Sequence, residues 1–196
     1  DSMNMTDSIV QGATSALVRL LLRPVVYLQG SQKREDLLKE PTILIINHTS
    51  HLDGPVVTTA LRPARIHNLA AKDRFEQKRF GFFLRHTGCI PIDRKNATSV
   101  MLSVIKEMKA KKIVHLALAP EGTRQPVKRW KTGFHTIARE VGCPVYMGYF
   151  DWGTKHVSRG QKVELTDDAK ADLERIQALY EQMHLVGKHP EMYVTH

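Results

Sequence analysis

Cysteine is nearly absent from the chain. Of 196 residues only 2 are cysteine, Cys89 and Cys143, far apart and outside any CxxC pair. No disulfide framework can be built from them, and a reducing compartment suits such a chain. Clean apolar runs are also missing. The most apolar stretch, Ile9 to Leu28, is interrupted by Arg19 and Arg23, diluted by Gln11 and Ser15 and broken by Pro24. A membrane-spanning helix needs about 20 apolar residues with few charges. The same stretch does not read as a cleavable leader, because Asp7 precedes it and no Ala-x-Ala follows. Aromatic residues are 7% of the chain and, apart from Trp130, are not interleaved with basic ones, so a nucleic-acid stacking platform is not expected. There is no G-x-x-x-x-G-K-[ST] loop to support nucleotide hydrolysis. Internal repeats, heptads and long linkers are lacking too.

Acidic residues are in deficit. Asp and Glu number 20 against 29 Lys and Arg, a net charge of +9 with histidine neutral. A surplus of that size points to an anionic partner: nucleic acid, a phospholipid surface, a phosphorylated substrate or an acidic protein. Apolar residues at 42% and charged residues at 25% are ordinary for a globular chain of one domain with a sizeable core.

The pattern that remains is one of short strands alternating with helices. Thr42–Ile46 is a β-branched run that reads as a buried strand. Ile66–Ala70, Cys89–Ile92, Ile113–Leu118 and Val145–Phe150 are further strand candidates. Pro55–Leu61, Phe75–Arg85, Asn96–Lys109 and Gly133–Val141 read as helices. A last helix carries Leu173, Ile176, Tyr180 and Met183 in one stripe, with Thr166 or Asp167 as its expected N-cap. The implied class is α/β, a central sheet flanked by helices, with its sites in loops beyond the strand ends. Ahead of it, Ile9, Ala13, Ala16, Leu17, Leu20 and Leu21 form one apolar helical face, with Arg19 and Arg23 sharing another. Such a face suits a lipid interface or a dock on the protein's own core.

Three strand ends carry chemistry. After Thr42–Ile46 comes Asn47-His48-Thr49-Ser50-His51-Leu52-Asp53. A compact turn lets the Asp53 carboxylate reach one imidazole nitrogen of His48 and leaves the other free to take a proton. Other readings of the same residues are a solvated loop histidine, a metal site that adds His51, and a base serving Ser50. No further ligand set supports the metal, and no G-x-S-x-G elbow surrounds the serine. After Ile113–Leu118 comes Pro120-Glu121-Gly122-Thr123-Arg124. Glycine permits a tight backbone, threonine adds a hydroxyl and arginine a planar fork for phosphate oxygens, with Lys128, Arg129 and Lys131 following. Between the two, the strand Cys89–Ile92 delivers Arg94 at its end, with Pro91 marking a sheet edge.

In combination these blocks resemble the glycerolipid acyltransferases of the PlsC type, the lysophosphatidic acid acyltransferase family. Asn47-His48-x4-Asp53, the G-x5-R block from Gly88 to Arg94, and Glu121-Gly122-Thr123-Arg124 with Pro120 ahead match that family's blocks in order and spacing. Trp130-Lys131-Thr132-Gly133 is similar to its aromatic-Lys-x-Gly stretch. The fourth block departs: Pro144-Val145-Tyr146-Met147 keeps the first proline of P-x-x-P and loses the second.

The resemblance implies a layered α/β acyltransferase fold with a mostly parallel sheet. Residues 1–30 would be amphipathic membrane-interface helices, a pair divided at Pro24, and residues 31–196 the catalytic domain. It implies acyl transfer from acyl-CoA or acyl-ACP to a lysophospholipid, 1-acylglycerol-3-phosphate first among acceptors, without an acyl-enzyme. His48 would be general base and Asp53 its orienting acid, with Asn47 in support. Arg124, Gly122 and Thr123 would hold the acceptor's phosphate, Arg94 and Lys131 would add charge, and Glu121 would order the arginines or the glycerol. No metal, no bound cofactor and no nucleic acid are implied. The location would be cytoplasmic and peripheral, on an anionic membrane surface. Phe75, Phe80, Phe82 and Phe83 are candidates for an acyl-chain tunnel, with core packing as the other reading. Rival functions are the same chemistry on glycerol-3-phosphate or a lyso-ornithine lipid, and a non-enzymatic basic module that binds membranes or nucleic acid.

Overall fold

A computed structural model describes residues 3–22, 25–27, 41–48, 50, 52–62, 64–123 and 127–189. The chain runs through α1 (Met5–Leu22), β1 (Val25–Tyr27), β2 (Thr42–Ile45), α2 (Asp53–Leu61), β3 (Ile66–Ala71), α3 (Lys72–Phe75), α4 (Lys78–His86) and β4 (Cys89–Ile92). It continues through α5 (Ala97–Lys109), β5 (His115–Leu118), α6 (Gly133–Val141), β6 (Val145–Asp151), β7 (His156–Val163) and α7 (Ala169–Gln182). The strands form one 7-stranded sheet in the order β1-β7-β6-β2-β5-β3-β4. All neighbouring pairs are parallel except β6 with β7.

Strand β2 is buried at every position and apolar from Ile43 on, because both of its faces are covered. Ile43 and Ile45 point into a core built with Val104, Met108, Phe134, Ile137 and Ile176 from α5, α6 and α7. Leu44 and Ile46 pack on the opposite face with Val57 of α2 and Ile66. Each fully buried aliphatic side chain of this kind contributes about 1.5–3 kcal/mol. Helix α7 is fastened to the sheet by Tyr180, whose hydroxyl lies 3.0 Å from the Ile45 carbonyl and 2.7 Å from that of Gly148. Trp130 meets the Tyr180 ring edge-on at 5.5 Å; this tryptophan is core.

Several expectations change. Directly after Pro24, where the second helix of the pair was expected to begin, Val25–Tyr27 is a strand in parallel register with β7. The expected division at residue 30 falls outside the described residues. Strand β7 is a whole element missing from the sequence reading, its Ser-Arg-Gly-Gln-Lys run being too polar for a buried-strand pattern. The hairpin turn Trp152-Gly153-Thr154-Lys155 ahead of it was the available signal. The single helix expected over 75–85 is two, parted at Glu76 and Gln77. Gly81 explains the break: a Cβ there would come within 2.1 Å of the Phe75 carbonyl, so the two short helices cross backbone on backbone. Helix α7 is capped by Asp168, not Thr166 or Asp167; its carboxylate accepts from Lys170 N and Ala171 N at 3.0 Å each.

Helix α1 is turned opposite to the usual sense. Its buried stripe is Asp7, Gln11, Ser15 and Val18. Met5, Ile9, Leu17, Leu20 and Leu21 are between 57% and 79% exposed. Asp7 accepts from Arg65 at 3.1 Å and from the His86 ring at 2.8 Å, and Thr59 donates to Ser15 at 3.4 Å. Polar pairing therefore docks the helix on α2 and α4 and leaves its apolar face outward.

Replacing Tyr180 with Phe is expected to cost about 1–3 kcal/mol, because it leaves buried carbonyls short of a donor. A lower urea midpoint at unchanged m-value would register that loss, and an unaltered midpoint would show that α7 is held by packing alone.

Candidate active site

Parallel strands β2, β5, β3 and β4 end on the same edge of the sheet, and their following loops meet there. The loop after β2 is built on Asn47, whose buried side chain pairs with β6, the neighbour of β2 in the sheet. Its amide nitrogen donates to the Phe150 carbonyl at 3.3 Å and its oxygen accepts from Phe150 N at 3.1 Å. Asn47 thus copies a strand pairing two residues beyond β2 and holds the loop to β6.

His48 follows directly. Its Nδ1 lies 3.2 Å from Asp53 Oδ2. A carboxylate oxygen can only accept, so Nδ1 carries the hydrogen and Nε2 is left as the acceptor. Asp53 opens α2 and is 1% exposed. The same Oδ2 accepts from Ser50 N at 2.7 Å, and the Ser50 hydroxyl accepts from Leu52 N at 3.1 Å. Ser50 is therefore a turn residue, tied into its own loop at the edge of the cavity that His48 lines. His51 and Thr49 lie outside the described residues. Among the described residues, no group of three or more His, Cys, Asp or Glu is placed to hold a metal ion.

Glu121 stands behind His48 and does not line the cavity. Its Oε2 accepts from the His48 main-chain N–H at 2.9 Å, joining the β5 loop to the β2 loop. Burial pushes its carboxyl up to about 8; the His48 bond acts against this, and the Asp53 charge adds to it. At neutral pH the group is mostly protonated. It does not order arginines in the described structure.

Gly122 sits at φ +67, a left-handed conformation that glycine adopts freely. A Cβ here would lie 2.8 Å from Lys131 Nζ, so the missing side chain is what lets Lys131 cross the loop. Arg94 opens a short turn after β4 and donates from Nη2 to the Gly122 carbonyl at 3.3 Å. Arg124 lies outside the described residues.

His48, Asp53, Arg94, Gly122, Thr123 and Lys131 all line one cavity of about 520 Å³. Phe80, Phe83, Leu84, Val104, Phe134 and Ile137 form its apolar walls, and Gln11, Thr14 and Ser15 of α1 close one side. Of the four phenylalanines, Phe80 and Phe83 are on the wall. Phe75 and Phe82 are not, and the Phe82 ring packs 4.3 Å from His86. Arg74 also lines the cavity. The sequence reading missed it, although it stands just past a strand end, where the other site residues are found.

Residues 25–147 match the acyltransferase family. The chain belongs to that family. It is 31% identical over 133 residues to the 1-acyl-sn-glycerol-3-phosphate acyltransferase of Bacillus subtilis (strain 168), covering 63% of this chain and 64% of that relative's length, just under two thirds. The fold is shared with the solved structure of the 1-acyl-sn-glycerophosphate (LPA) acyltransferase PlsC from Thermotoga maritima. That match has a TM-score of 0.65 at 18% identity and covers 93% of this chain and 81% of the other.

The state of Glu121 has a measurable consequence. Between its ordinary value of 4.5 and about 8, the folded protein keeps a proton that the unfolded chain has released. This group's contribution to stability therefore falls as pH rises through that window. Glu121→Gln removes that slope, so the variant should gain on the wild type between pH 5 and pH 8 in urea midpoints. Parallel pH profiles for the two proteins would rule out a neutral, buried Glu121.

Proposed function

We infer that the protein is an O-acyltransferase that moves a fatty acyl group from acyl-CoA or acyl-ACP to the hydroxyl of a lysophospholipid, with 1-acylglycerol-3-phosphate as acceptor. The observation that carries this reading is the His48–Asp53 pair in a cavity with apolar walls and cationic side chains. An acyl chain suits the first surface and a phosphate the second. The names of the Bacillus and Thermotoga relatives support this acceptor.

In this mechanism His48 Nε2 takes the proton from the acceptor hydroxyl as its oxygen attacks the thioester carbonyl. Asp53 holds the ring and stabilises the imidazolium that forms. The tetrahedral intermediate collapses, the C–S bond breaks and the leaving thiolate takes the proton back from His48. The oxygen ester and a free thiol are the products. No protein nucleophile enters, in keeping with Ser50 being tied into its turn. Glu121 fixes the main chain of the base, and positioning of both substrates supplies much of the remaining acceleration.

The outward apolar face of α1 supports a peripheral site of action on an anionic, cytoplasmic membrane surface. Met5, Ile9, Leu17, Leu20 and Leu21 are available to the lipid, while Arg19 is exposed beside them. No helix among the described residues is long and apolar enough to cross a membrane. Because α1 also walls the cavity, a lipid acceptor would pass from the bilayer to His48 over a short path.

His48→Ala is expected to lower thiol release by about 10²–10⁴-fold while acceptor binding persists; retention of most activity would reject His48 as base. Exchanging Leu17, Leu20 and Leu21 together for Ser should weaken sedimentation with anionic vesicles by at least about tenfold. The urea midpoint should stay put, since these side chains are exposed, and undiminished vesicle binding would remove α1 from the membrane contact.

A further inference from the structure

Strand β3 lies between β5 and β4 in the sheet. Gly122 follows β5 and Arg94 follows β4, and the two are joined by the 3.3 Å bond from Arg94 Nη2 to the Gly122 carbonyl. That link spans the end of β3. The chain leaving β3 at Ala71, in register with Ile92 of β4, passes straight into α3. Arg74 is the third residue of that helix and lines the same cavity as His48, Arg94 and Lys131. The topology thus places it between the loops of the two flanking strands.

Arg74 is half-buried, whereas Arg94 and Lys131 are exposed, so its charge is the least screened of the three. Among the described residues no hydrogen bond or ion pair satisfies it. The neighbouring acids are engaged or turned to solvent. Asp93 caps its own turn through Lys95 N and Asn96. Asp53 holds His48 and Ser50, Glu121 bonds His48 N, and Asp73 and Glu76 are exposed. A half-buried cation without a counter-charge is costly unless a ligand supplies one.

We propose that Arg74 is the headgroup-selecting residue of this site: with Arg94 and Lys131 it forms a three-cation wall that favours the dianion of a phosphate monoester over the monoanion of a phosphodiester. A monoester phosphate carries about −1.5 to −2 at pH 7, and the guanidinium fork meets two of its terminal oxygens at once. A diester offers less charge and fewer free oxygens. This inference rests on the 1-acylglycerol-3-phosphate reading and deepens it by naming the residue that tells an unsubstituted phosphate from a diester.

The test separates the two. Binding of glycerol 3-phosphate and of glycerophosphoglycerol is measured by calorimetry, without turnover. Acyl transfer to lysophosphatidate and to lysophosphatidylglycerol is measured in parallel, for wild type, Arg74→Gln and Arg74→Lys. The Gln variant should bind the monoester about 10–100-fold more weakly and show a KM raised to match, with kcat within about twofold. Its handling of the diester should change by less than about threefold, and the Lys variant should recover much of the loss. Melting temperatures verify that each variant is folded. An equal loss for both headgroups, no loss, or a loss confined to kcat would overturn the proposal. Arg74-dependent monoester binding without acyl transfer to either acceptor would sink the proposed function and spare this inference. Acyl transfer indifferent to Arg74 would do the reverse, and neither binding nor transfer would end both.

Discussion

Two carboxylates grip one histidine from opposite directions. Asp53 holds the ring of His48 and Glu121 holds its main-chain N–H. The first bond sets which ring nitrogen is free, and the second sets where that nitrogen stands relative to the β5 loop. Burial is the main reason that Glu121 holds its proton, with the neighbouring Asp53 charge a lesser one. Asp53 receives two donors, the ring and Ser50 N. Glu121 receives a single main-chain donor in a buried setting, and its carboxyl is pushed up to about 8. The neutral form still accepts a hydrogen bond while adding no negative charge beside the cationic side chains of the cavity.

The same sorting of polar and apolar surface recurs at the N-terminal helix. A helix at the surface of a globular domain ordinarily buries its apolar stripe. Here Asp7, Gln11 and Ser15 face the core and the leucines face outward. The arrangement is satisfied only if both surfaces find matching environments. Arg65, His86 and Thr59 supply the inner one, and a lipid surface would match the outer one. Because α1 also closes one side of the cavity, the element proposed to meet the lipid borders the candidate site.

How much could be read without coordinates varied with the range of the interaction. The five strand candidates from Thr42 to Phe150 were legible because parallel strands covered on both faces leave continuous apolar runs. Strands β1 and β7 were not, since their partners lie far off in the chain and β7 is polar in composition. The break between α3 and α4 depends on a contact between Gly81 and the Phe75 carbonyl, which no periodicity records. At the site, His48 and Asp53 were legible as a pair because four residues separate them and a turn brings them together. The position of Glu121 was not, because its bond to His48 links two strands distant in the chain. Arg74 escaped notice as one basic residue among several on a surface-like segment.

Taken alone, the residue order determined the alternation of strands and helices, the chemistry available at three strand ends and the absence of a membrane-spanning run within Ile9–Leu28. These follow from spacing and composition over stretches of a few residues, where local geometry dominates. The strand order β5-β3-β4 decided that the loops carrying Gly122, Arg74 and Arg94 open on one cavity. The docking of α1 by its polar stripe decided which of its faces is exposed. Both are settled by the competition of distant segments for the same partners, and that competition is resolved only when the whole chain packs.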